Sequence, residues 1–211
     1  MAPSMIVVTD TDELSRFFVF TNPVVLYNIR VTSIEMLFWF ACLMQHGLCN
    51  AARSLAGDQK LNIKPTAIAH WARNKIKDAR IDLQPRWIFH AARVYFTIMA
   101  ELMRHRNNQF YWEIRRILHT HEVGSFCYAT GNCFVWGCGL RANKLSDDNY
   151  PGFNQWGRLL FRLCREWRDG VFMELQDMGE LLMGNILPPP AWRCTVLLLS
   201  DSQFRQVELV D

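Results

Sequence analysis

A glycine-bracketed junction constrains this chain more than any other stretch: Gly152-Phe153-Asn154-Gln155-Trp156-Gly157-Arg158-Leu159-Leu160, running on to Arg165. It joins a loop whose backbone must turn tightly, or approach something closely, to a helix that buries one face. Glycines at both ends with a side-chain amide between them fit a backbone that meets a ligand. The start of a capped helix explains them equally well.

Length bounds the rest. At 211 residues and 24.7 kDa the chain suits one large domain, or a domain with a small appendage, and can bury a sizeable core. Half of its residues are hydrophobic and 20% are charged, which argues against bulk disorder. A formal charge of +3 is too small to mark a nucleic-acid binder. Arg residues far outnumber the five Lys; Arg suits bidentate recognition of phosphate or carboxylate, although most of them fall on solvated helix faces. Seven cysteines show no disulfide-framework spacing, and Met1 to Asp12 lacks the basic start and apolar segment of a signal peptide. A reducing, cytoplasmic setting with free thiols is expected. The longest apolar run, Met36 to Met44, is about half of the ~20 residues needed to span a bilayer. It reads as a buried helix, with no membrane association.

Periodicity divides the chain. Met5 to Thr9 predicts a short strand, and the runs Phe17 to Phe20 and Val24 to Val31 read as strands separated by the turn signal Asn22-Pro23. From Thr32 the pattern turns helical, with Ile34, Leu37, Phe38, Ala41 and Met44 on one face. Helices are expected over Pro65 to about Arg80, from Pro85 through Arg106, from Gln109 to His119, and from Asn154 to Trp167 with a stop at Asp169-Gly170. Gly124 to Asn149 reads largely as loop, the place where a site is expected on a helical scaffold. A further helix to about Gly184, the spacer Pro188-Pro189-Pro190, and paired strands Trp192 to Leu199 and Phe204 to Val210 complete the reading. The expected class is α+β, a predominantly helical domain over residues 1–169 with short strands near both ends. Residues 170–211 are expected to form a C-terminal extension packed on the same domain.

Three places invite chemistry. Thr32-Ser33-Ile34-Glu35 opens the first strong helix. It fits a capping box with Thr32 as N-cap and Glu35 reaching back, and it also fits a carboxylate facing a pocket as general acid or base. Trp136-Gly137-Cys138-Gly139 follows Asn132-Cys133; Trp136 suits stacking on a flat ring, or plugging the core. Cys127, Cys133, Cys138, His119 and His121 lie near one another but show no C-x-x-C or H-x-x-x-H spacing, so no metal and no other cofactor is expected. A phosphate-binding G-x-x-x-x-G-K-[ST] loop does not occur.

In order, Ser33-Ile34-Glu35, Trp136-Gly137, and Gly152-x-Asn154-x-x-Gly157-x-Leu159-Leu160 with Arg165 resemble the NADAR (YbiA-like) superfamily over roughly Phe17 to Arg168. Members typically show S-V-E-H, then D-x-x-W-G, then G-x-N-x-L-G-x-L-L-M-x-x-R, and the last motif is the most specific of the three. The resemblance implies a compact, mainly helical fold and hydrolysis of the ribosyl C–N bond of an ADP-ribosylated or otherwise ribosylated base. The substrate would be a small molecule or linked to nucleic acid. Glu35 would serve in acid/base chemistry; Trp136, Gly137, Asn132, Gly152, Asn154 and Gly157 would bind. Such a reaction builds oxocarbenium character that a carboxylate stabilises. The chain departs from the pattern at Met36, where relatives carry His, and at Cys133, where they carry the loop Asp. A Lys-x-x-Gly-Arg segment corresponds loosely to His70-Trp71-Ala72-Arg73-Asn74. The alternative is a catalytically lapsed protein that binds ADP-ribose or a nucleotide, or that meets a protein partner or a second copy through the C-terminal strands.

Overall fold

The helix opened by Ser33 organises the molecule. In a computed structural model, which describes residues 4–26, 28–57, 63–81, 87–131, 133–145 and 150–170, helix α1 (Ile34–Gln45) is buried from Ile34 through Leu43. A helix apolar on every side must be surrounded. Helices α2 (Cys49–Ala56), α3 (Pro65–Asp78) and α4 (Trp87–Arg104) pack around it. Helices α5 (Gln109–Thr120) and α6 (Gln155–Arg168) complete the set by packing on α4 and on each other. One contiguous apolar core runs from Val8 to Cys164 and takes in Leu37, Phe38, Trp39, Tyr95, Phe126 and Trp156. Each fully buried Leu or Phe contributes about 1.5–3 kcal/mol to it.

The cap of α1 differs from the expected box. Ser33 is the N-cap, its backbone extended and its hydroxyl accepting from the Met36 amide at 3.1 Å. Glu35 therefore sits one position too early to reach back as a box requires. Its amide donates instead to the Arg16 carbonyl at 3.0 Å. Thr32 lies just past the strand over Ile29–Val31, its carbonyl accepting from the Phe20 amide at 2.8 Å.

Strands are few. β1 (Ser4–Val8) forms as expected. The run from Val24 becomes a tight antiparallel hairpin of β2 (Val24–Leu26) and β3 (Ile29–Val31), with Asn28 at φ 62 in its turn; Asn accepts that left-handed conformation more readily than most residues. Phe17 to Phe20 is not a strand: the Phe18 amide turns back to the Ser15 carbonyl, and the Phe20 amide bonds outside any ladder. The segment read as loop from Gly124 begins instead with β4 (Val123–Tyr128), paired parallel to β1 in the register Val8 to Tyr128. Its partner lies at the far end of the sequence, and Gly124 weakens its local signal. Helix α2 was not anticipated. The helix after Gly170, the proline spacer, the two C-terminal strands and the extension over 170–211 lie outside the described residues, as do Pro85 and Asn132.

The joint between α1 and α4 carries a pH-sensitive group. The imidazole Nε2 of His90 meets Gln45 Oε1 at 2.7 Å. Burial first, then Arg93 and His46, hold the His90 pKa below its ordinary 6.5, and burial lowers His46 as well. A neutral histidine in the fold that takes a proton on unfolding contributes stability above its ordinary pKa and loses it as pH falls toward the depressed value. The melting temperature is therefore expected to drop between about pH 7 and pH 5, and the drop is expected to be shallower in His90→Gln. Thermal melts across that range check the slope.

Candidate functional site

Four elements deliver side chains to one buried polar knot. Glu35 comes from α1, Tyr95 from α4, Arg16 from the segment between β1 and β2, and Trp136 from the loop after β4. Glu35 is 1% exposed. Its Oε1 accepts from the Trp39 indole at 2.8 Å, and its Oε2 accepts from the Tyr95 hydroxyl at 2.6 Å. Arg16 Nη1 donates to the Tyr95 oxygen at 2.9 Å and stands 3.7 Å from Glu35 Oε2. Tyr95 thus relays between cation and carboxylate, accepting from one and donating to the other.

Aromatic rings wall the knot. Phe38 stacks on Tyr95 with ring centroids 4.0 Å apart, and Trp136 and Trp156 approach Tyr95 edge-on at 5.0 and 5.3 Å. The Arg16 guanidinium lies 4.5 Å from the Phe17 centroid and 5.4 Å from that of Trp136, a cation–π arrangement strengthened by loss of water. Arg73 of α3 lies over the Trp39 ring at 5.5 Å, and Trp39 in turn donates to Glu35.

Burial and neighbouring charges hold Arg16 and Tyr95 in their protonated forms. Burial would pull the Arg16 guanidinium down, but Tyr95, Glu35, Tyr128 and Cys133 together more than reverse it, and its pKa is raised. Burial pushes the Tyr95 hydroxyl well above its ordinary range against the opposing pull of Arg16, with Glu35 adding to the rise. Tyr95 therefore holds its proton and remains a donor. Arg16 Nε has no hydrogen-bond partner among the described residues despite its burial.

The glycine-bracketed junction resolves into backbone carpentry. The amides of Gly152, Asn154, Gln155 and Trp156 donate to the carbonyls of Cys138, Gly137, Val135 and Trp136 at 2.8 to 3.1 Å, and Phe153 donates to Phe134 at 2.6 Å. Those amides include the first two of α6, which a helix start would otherwise present to an anion. Asn154 stands in the left-handed region at φ 49. Its Oδ1 accepts from the Tyr128 amide at 2.8 Å, while its Nδ2 donates to the Phe126 carbonyl at 2.7 Å and to the Tyr150 hydroxyl at 3.0 Å. A methyl group at Gly157 would strike the Phe126 carbonyl, and one at Gly152 would strike the Gly137 carbonyl and the Cys138 carbon. Gly137 is equally confined, by Thr130 and the Cys133 carbonyl. These residues weld α6 and the loop over 133–139 onto β4.

Of the expected site residues, Glu35 and Trp136 come together around Arg16 and Tyr95. Gly137, Gly152, Asn154 and Gly157 gather in the neighbouring weld, while Asn132 lies outside the described residues. Arg16 and Tyr95 escaped the sequence reading. A lone Arg in a turn and a Tyr on an apolar helix face carry no motif, and the only available hint was the pressure on a buried Glu to find partners. Among the described residues no three His, Cys, Asp or Glu side chains gather as a metal site, and no helix is long and apolar enough to cross a membrane. Clefts open among the described residues away from the knot. One of about 440 Å³ is lined by Gly131, Gly139, Leu140, Arg141, Asn143 and Lys144. Another, of about 260 Å³, lies between β1 and α5. Neither is lined by Glu35. No protein-family model matches the chain, and no curated protein or solved structure does.

Proposed function

We propose that this chain is a divergent NADAR-type protein in which hydrolysis of a ribosyl C–N bond has lapsed, and that it acts by binding an ADP-ribosyl or nucleotide ligand. One observation carries this reading: both oxygens of Glu35 are engaged by Trp39 and Tyr95, and the carboxylate is 1% exposed. A general acid must come within about 2.6–3.2 Å of the atom it protonates. Here that space holds the protein's own side chains. The carboxylate's work is structural, as the counter-ion of a buried arginine. Cys133, standing where relatives carry the loop Asp, fits the same reading, because a thiol there supplies no second carboxylate. The free cysteines among the described residues are in keeping with a reducing, cytoplasmic setting.

The second reading is an N-glycosidase acting on an ADP-ribosylated or ribosylated base, and the placement of Trp136 favours it. That ring is only partly buried and rests against Arg16 and Tyr95, where a departing base would stack. A hydrolysis assay on ADP-ribosylated guanosine and on ribosylamino-pyrimidines separates the two. The lapsed reading expects no turnover above buffer together with calorimetric binding of ADP-ribose. Turnover that disappears in a folded Glu35→Gln variant would install the N-glycosidase reading in its place.

A further inference from the structure

The larger cleft has a composition that neither Glu35 nor the weld explains. Its lining holds two cations, Arg141 and Lys144, and the amide of Asn143, with no carboxylate among the described lining residues. Arg141 and Lys144 are exposed, and no ion pair engages either among the described residues. The stem of Arg141 lies against Gly131, where an added methyl group would meet its Cγ at 3.3 Å. That close approach sets the arginine along the cleft wall.

An exposed aromatic ring stands beside one of the lining glycines. Phe134 is 45% exposed, which is unusual for a phenylalanine. Its ring packs on Gly139, whose φ of +75 and missing side chain admit ring atoms to 2.9–3.0 Å of where a methyl group would stand. Gly139 also lines the cleft, so the ring packs on one of the cleft's lining residues. The cleft follows the carboxyl end of β4, which runs parallel to β1. Crevices at the carboxyl ends of parallel strands are recurrent ligand sites. A volume of about 440 Å³ lies within the usual range for small-molecule pockets.

The geometry points to a nucleoside-diphosphate site in this cleft, with the phosphates on Arg141 and Lys144 and the base on Phe134. The inference rests on the binding half of the function proposed above and gives that ligand a location away from Glu35. Arg supplies a bidentate fork for phosphate and Lys a mobile point charge. The exposed ring adds stacking that is tolerant of base identity.

Calorimetric titration of the full chain with ADP, adenosine and inorganic phosphate tests it. ADP is expected to bind more tightly than either fragment, with an affinity that falls as salt rises. Arg141→Gln combined with Lys144→Gln is expected to weaken ADP by roughly tenfold or more, and Phe134→Ala by about fivefold or more. All three side chains are exposed, so thermal melts of these variants are expected to match the parent. Equal affinity for ADP and inorganic phosphate would remove the base from the site and overturn the inference. So would ADP binding unchanged in the double variant. If that binding were instead lost in Trp136→Ala, the ligand would belong to the Glu35 knot, and the binding function would survive without this location. An absence of ADP binding would overturn the inference too. The hydrolysis assay at Glu35 reads out independently of all these arms.

Discussion

Glu35→Leu, with Arg16 left in place, is expected to destabilise the protein by about 3–5 kcal/mol, because it strands a buried guanidinium. In a chain of this size that corresponds to a fall of about 6–20 °C in melting temperature. The loss exceeds what a surface pair would give, since Glu35 and Arg16 side chains are 1% and 8% exposed. Tyr95 and Trp39 would also be left donating to an apolar neighbour. Combining Glu35→Leu with Arg16→Met removes both charges and is expected to recover much of the loss, as apolar replacements of buried pairs commonly do. The coupling measured by this double-mutant cycle identifies the carboxylate as a structural counter-ion. A catalytic carboxylate without that role would give a small stability change and a large loss of turnover. Equal stabilities of the single variant and the parent would sink the structural assignment of Glu35.

Asn154→Ala is expected to cost about 3–5 kcal/mol by a different route. The change orphans the Tyr128 amide and the Phe126 carbonyl, both held by the Asn154 side chain. It also places alanine at φ 49, a conformation in which its Cβ is crowded. Asn154→Gly separates the two terms. Glycine takes the left-handed backbone freely but restores neither hydrogen bond, so it is expected to fall between alanine and the parent by about 1 kcal/mol relative to alanine. Asn154→Asp keeps an acceptor for the Tyr128 amide and sets a second oxygen against the Phe126 carbonyl, so it should not rescue. Chemical denaturation of the three variants gives the order. Had Asn154 been a ligand-binding amide, these substitutions would leave stability nearly intact and lower affinity alone.

How much of this was legible beforehand depends on where each cause lies. Helix α1 was readable because the apolar positions from Ile34 to Met44 and the serine at its start are local. The stop of α6 at Asp169-Gly170 was readable for the same reason, and Gly170 does adopt φ +68. Strand β4 was not, since its stability comes from pairing Val8 with Tyr128 across most of the described chain. The cap of α1 was misplaced by one residue because Thr32 and Ser33 are nearly equal as N-caps. What separates them is the Phe20 amide bound to the Thr32 carbonyl.

The candidate site follows the same division. Residue types and spacing marked Glu35, Trp136 and the junction from Gly152 to Gly157 as positions under unusual demand. They left open whether that demand came from a ligand or from the fold, because a close backbone approach selects glycine whichever surface approaches. Tertiary structure supplied the approaching surface at the junction: the Phe126 carbonyl at Gly157 and the Gly137 carbonyl at Gly152. It likewise supplied Arg16 and Tyr95, which meet Glu35 only because α1, α4 and the segment after β1 converge. Local pattern suffices for helices whose apolar face and caps lie within a few turns. The partners of a buried charge and the far wall of a glycine contact come from remote segments, and only packing brings them together.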